Sequence, residues 1–167
     1  EDGGAFVIAN DYQGDITIPS QIIVDGQSIR VVGIAQEAFY GCDDVTSITL
    51  PEGLTTIEDS TFEFMSGLTE IVIPDSVIHI GRSAFSTCEN LQRVVLPSQL
   101  TTIPEDLFES CSSLTEVNIP ASVRVLQSAC FAACVSLKTI VLPEGLHTIE
   151  DRVFELCESL ENINLPS

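Results

Sequence analysis

Apolar and polar positions recur along this chain with a period of 23 residues. One column reads Phe39, Phe62, Phe85, Phe108, Phe131, Phe154, and a second Pro51, Pro74, Pro97, Pro120, Pro143, Pro166. A third runs Val45, Leu68, Leu91, Leu114, Leu137, Leu160. Three columns of different chemistry holding one period without a slip mark a repeat architecture.

The unit from Leu68 to Asn90 shows what each repeat is expected to build. Ile71 and Ile73 face one way and Glu70 and Val72 the other, a period of two that predicts a short strand. Pro74 lacks a backbone donor and ends the ladder. Val77 and Ile80 predict a second extended stretch returning to the core. Ala84, Phe85 and Cys88, at i, i+1 and i+4, predict one or two helical turns over residues 83–90. No unit of this size buries its apolar positions alone, whereas stacked coils do, each covering the next in register. The expected fold is therefore an α/β repeat: a right-handed solenoid with a parallel sheet on one face and short helical turns on the other.

Residues 1–33 break the period and are expected to form an N-terminal β cap on a solenoid spanning 34–167. The runs from Phe6 to Ala9, Ile16 to Ile18, Ile22 to Val24 and Ile29 to Val32 are β-prone, and Asp25-Gly26 predicts a hairpin turn. The other terminus stops in mid-coil at Pro166-Ser167, leaving Leu160, Ile163 and Leu165 uncovered. The expectation is a natural chain that continues past Ser167, or a second chain covering this end by end-to-end self-association.

The pattern Leu-x-x-Ile-x-Leu-Pro-x-x-Leu-x-x-Ile-x-x-x-x-Phe-x-x-Cys, carried most cleanly from Leu91 to Cys111, resembles the BspA-like, or Treponema pallidum-type, leucine-rich repeat. The match covers about residues 34–166, and Ile16-Thr-Ile-Pro19 with Asp25-Gly26 is similar to that family's opening segment. Met65 in place of Cys and Val45 in place of Leu depart from it. The resemblance implies a leucine-rich-repeat solenoid in a secreted or cell-surface protein, usually bacterial, with adhesion to host matrix proteins or other cells proposed for some members and no shared catalytic site.

Composition narrows the partners. With 44% hydrophobic residues the chain can bury a sizeable core, yet no run of apolar residues is long enough to span a membrane. Glu1 opens the chain without a charged-then-apolar signal segment, as in a mature secreted chain or a trimmed one. Asp and Glu outnumber Lys and Arg 25 to 6, a net charge of −19 that disfavours nucleic acid and anionic membranes.

Residues able to carry chemistry read as structure. Cys42, Cys88, Cys111, Cys134 and Cys157 share a column with Met65, and Cys130 shares one with Ala38 and Ala84. These places want small apolar side chains, so buried free thiols are expected, with disulfides between stacked neighbours as the alternative. His79 and His147 lie three coils apart and cannot share a metal or a proton. No nucleophile elbow, phosphate-binding glycine loop or zinc-type cysteine pair is present. The acidic pairs Asp43-Asp44, Glu58-Asp59 and Glu150-Asp151 lack calcium-loop spacing. No catalytic, metal or cofactor site is expected, and the chain does not read as an enzyme. Stacking should instead create charge ladders: Glu70–Arg93–Glu116, Asp59–Arg82–Glu105 and Lys138–Glu161.

The outward strand positions form the candidate partner-binding face: Ser47, Thr49, Glu70, Val72, Arg93, Val95, Glu116, Asn118, Thr139 and Val141. They carry no Trp or Tyr, so weak or multivalent protein binding is expected. The function expected is an extracellular or surface protein-binding module of adhesin type, its partner a host matrix or other surface protein. The alternative is a passive spacer in a larger surface protein.

Overall fold

A computed structural model describes residues 3–164, so Leu165, Pro166 and Ser167 of the expected final coil lie outside it. Among these residues fifteen strands alternate with turns. The first five are β1 (Ala5–Val7), β2 (Gly14–Thr17), β3 (Gln21–Val24), β4 (Gln27–Ile34) and β5 (Val45–Thr49). Two strands per coil then follow: β6 (Thr56–Ile57), β7 (Glu70–Val72), β8 (His79–Ile80), β9 (Arg93–Val95) and β10 (Thr102–Ile103). The series closes with β11 (Glu116–Asn118), β12 (Val125–Leu126), β13 (Thr139–Val141), β14 (Thr148–Ile149) and β15 (Asn162–Asn164). Apart from the β3–β4 hairpin, every pairing is parallel.

The register follows the sequence period. Glu70 faces Arg93 and Val72 faces Val95, Thr139 lies between Glu116 and Asn162, and Ile57 faces Ile80. Longer strands such as β7, β9 and β13 build one side of the coil, and the two-residue strands β6 to β14 build another. Inside runs a row of stacked rings, Phe39 to Phe154, with neighbouring centroids 5.0–6.0 Å apart. Phe39, Phe62, Phe85, Phe108 and Phe131 are fully buried, and leucines 68, 91, 114 and 137 with them.

β1 to β4 occupy the runs before the periodic part. Asp25 and Gly26 turn the hairpin with φ of 51° and 76°, the left-handed pair that a tight two-residue turn requires. β1 lies against the end of β4, β2 lies against β5, and the Tyr12 ring stacks on Phe39 at 4.4 Å. These residues thus wind as a coil of the same kind, with the hairpin as an insertion.

The expected helical turns are absent, and the α/β class is corrected to an all-β solenoid: no helix occurs among the described residues. Residues 82–87 are successive turns because Ser83 and Thr87 adopt φ of 54° and 57°. The same two places are left-handed in the other coils, at Glu37 and Gly41, Ser60 and Phe64, Asp106 and Ser110, Ala129 and Ala133, and Arg152 and Leu156. A helix would direct every N–H along its own axis. Here Ser83, Phe85 and Thr87 donate instead to the carbonyls of Glu105, Leu107 and Glu109 in the next coil, at 3.0, 3.1 and 2.7 Å. Buried backbone donors need partners, and neighbouring coils supply them on this side as they do between strands.

Candidate functional site

Every outward strand residue singled out above is exposed, and together they line two open hollows. One, of about 400 Å³, is bordered by Ser47, Thr49, Glu70, Val72 and Arg93. The other, of about 420 Å³, is bordered by Arg93, Val95, Glu116, Asn118, Thr139 and Val141. They meet at Arg93, so the face runs across β5, β7, β9, β11 and β13, of which β7 pairs with β9 and β11 with β13 while β5 belongs to a separate sheet. Strand alternation produces this arrangement: Ile71, Val94, Val117 and Ile140 point into the core while their neighbours point out.

Charge on this face is unevenly paired. Arg93 Nη1 lies 3.9 Å from Glu70 Oε2, both largely exposed. Glu116 on the other side of Arg93 makes no ion pair among the described residues, so the expected three-member ladder is half formed. The same holds for Arg82, which pairs with Asp59 at 3.6 Å and not with Glu105. Lys138 makes no ion pair with Glu161. Exposed pairs gain at most about 1 kcal/mol, too little to hold two long side chains in one geometry. At the edge of the face the Ser47 and Thr46 hydroxyls donate to Asp15 at 2.7 and 2.9 Å, holding its carboxyl below the usual range. Three valines stand among these polar groups, with Val72 57%, Val95 37% and Val141 62% exposed.

The remaining candidates resolve as structure. All six cysteines are unbridged. Cys88, Cys111, Cys134 and Cys157 donate their S–H to the carbonyls of Phe62, Phe85, Phe108 and Phe131 at 3.0–3.1 Å. Four of the column's cysteines thus each satisfy a backbone carbonyl of the preceding coil, a role that spacing alone did not reveal, whereas Met65 fills the same place without a donor. Burial pushes the Cys88 thiol up to about 12 and the Cys111 thiol well above its ordinary value, which suppresses thiolate chemistry. Among the described residues no three His, Cys, Asp or Glu side chains gather into a metal-binding group. The acidic residues serve the stacking instead. Asp43 accepts from the Ser66 hydroxyl and N–H at 2.6 and 3.2 Å, which lowers its pKa, and Asp59 and Asp75 accept the N–H groups of Arg82 and Ser98.

Coils of 23 residues with a parallel strand face, a proline two residues past each of β5, β7, β9, β11 and β13, and a buried Phe row define a leucine-rich repeat solenoid. The family model for the BspA type leucine-rich repeat region matches residues 15–137 in six copies, and the chain belongs to that family. It is similar to the leucine-rich repeat protein of T. pallidum, with 34% identity over 95% of this chain and 78% of that one and a TM-score of 0.84. It is also similar to a leucine-rich repeat protein from Eubacterium ventriosum, with 30% identity and a TM-score of 0.80 over 93% of this chain. A leucine-rich cell surface protein from Faecalibacterium prausnitzii aligns over 89% of this chain with 26% identity and a TM-score of 0.71. The chain spans 39% of the Eubacterium and 47% of the Faecalibacterium protein. No curated protein sequence matches it. No helix among the described residues is long and apolar enough to cross a membrane.

Proposed function

We propose that this chain is a protein-recognition module of a bacterial surface protein, binding a host matrix or other surface protein through its strand face. The observation that carries this reading is the pair of hollows joined at Arg93, where three exposed valines alternate with charged and amide side chains on stacked strands above a packed core. Solenoids present extended surfaces of this kind to partners. The likeness to a Faecalibacterium cell surface protein supports the location. Binding rather than catalysis fits the residues present, since His79 and His147 stand three coils apart and the buried thiols are held protonated.

The test is capture of the chain by immobilised matrix proteins and by intact cells, comparing wild type with Val72→Asp/Val95→Asp and with Arg93→Glu. Saturable binding that weakens at least about tenfold in both variants, with thermal stability retained, is the expected result. A chain that binds nothing would make the solenoid a spacer, and variants that bind equally well would remove recognition from the strand face.

A further inference from the structure

A second surface lies on the turn side of the coil and does not depend on the strand-face reading. Apart from the Phe column, Tyr40 and Phe64 are the only aromatic residues between 34 and 164. Their neighbours Phe39 and Phe62 are fully buried, whereas Tyr40 is 49% and Phe64 42% exposed. Although they belong to successive coils, the two rings touch, with centroids 5.3 Å apart at 63°. Phe64 moreover sits at a φ of 62°, where a bulky side chain is costly; Gly41, Thr87, Ser110, Ala133 and Leu156 hold the same place in the other coils, and none of them is aromatic.

The backbone beneath the rings is fixed. Gly41 N–H donates to Glu63 at 2.9 Å, Phe64 N–H to Ser86 at 3.0 Å and Tyr40 N–H to Glu37 at 3.2 Å. Aromatic rings on a rigid support lose little entropy when something docks on them. The surrounding charge says what that is. From Val31 to Gly81 the chain carries Asp and Glu throughout, Glu37 and Glu63 beside the rings included, and no Lys or Arg. Among the described residues, ion pairs into this stretch come from Arg82 to Asp59 and from Arg93 to Glu70.

We propose that Tyr40 and Phe64 anchor lysine or arginine side chains of a basic protein segment. Ring faces attract a cation through their quadrupole, and the excess of carboxylates over basic residues along this stretch raises its local concentration. Two rings at an angle offer two faces, so one segment can seat a cation on each. The turn side and the strand side would then contact different partners, or different parts of one.

The experiment uses the whole chain and a short fluorescent Gly-Ser peptide carrying several arginines, with anisotropy read at about 0.15 M salt. The variants are Phe64→Gly and Tyr40→Ser, singly and together. All keep the net charge of −19, and Phe64→Gly also relieves the left-handed φ, so folding is preserved. Wild type is expected to bind saturably, each single variant more weakly, and the double variant roughly tenfold more weakly. The ring proton resonances of Tyr40 and Phe64 are expected to shift with peptide. Equal affinity in all four proteins, or no binding by wild type, overturns the proposal. So does binding of a neutral oligosaccharide to the rings without binding of the peptide.

Discussion

The strand side and the turn side of this solenoid do the same mechanical work by different means. On the strand side the backbone is extended and unstrained, coils are joined by parallel ladders, and side chains alternate in and out. On the turn side the coils are joined just as regularly, by N–H groups at alternate residues such as Ser83, Phe85 and Thr87. There the chain must enter the left-handed region twice per coil. The strand side is therefore free to vary its outward residues, which is what a recognition face needs. The turn side carries backbone strain that a large outward residue such as Phe64 increases.

The row of Phe rings between the two sides is where a single change should cost most. Phe85 is fully buried, 5.0 Å from Phe62 and 5.7 Å from Phe108. Phe85→Ala is expected to lower unfolding free energy by about 3–5 kcal/mol, read from denaturant melts, since it removes ring contacts on both sides at once. A smaller change sharpens the contrast between the two sides by giving one substitution opposite signs. Val95→Gly on the strand side should destabilise by about 1 kcal/mol through lost strand preference. Thr87→Gly on the turn side, at a φ of 57°, should stabilise by roughly 0.5–1 kcal/mol because a β-branched residue is strained there.

The same contrast explains what was legible in the sequence. Strand register, core columns and the outward face followed from Phe, Leu and Pro recurring at one interval, because burial imposes residue type. The hairpin at Asp25-Gly26 was equally readable, since its turn demands those residues. Residues 83–90 were misread as helical because Ala84, Phe85 and Cys88 keep helical spacing while the left-handed places tolerate many residue types. Ser83, Asp106 and Arg152 share one such place, and Thr87, Ala133 and Leu156 the other, so no column announces the geometry. Tyr12 was missed as the ring that covers Phe39 because the hairpin insertion displaces it from the 23-residue step. The hollows meeting at Arg93 were foreshadowed by alternation alone, but the half-formed ladders were not, because exposed side chains are weakly held in place.

The most direct test of coils knitted on both sides is scalar coupling across hydrogen bonds in isotope-labelled protein. Couplings from the amide nitrogens of Ser83, Phe85 and Thr87 to the carbonyl carbons of Glu105, Leu107 and Glu109 are predicted, alongside that from Ile73 to Val95 on the strand side. Couplings from Phe85 to Gly81 and from Thr87 to Ser83, the pattern of a helix, would contradict it.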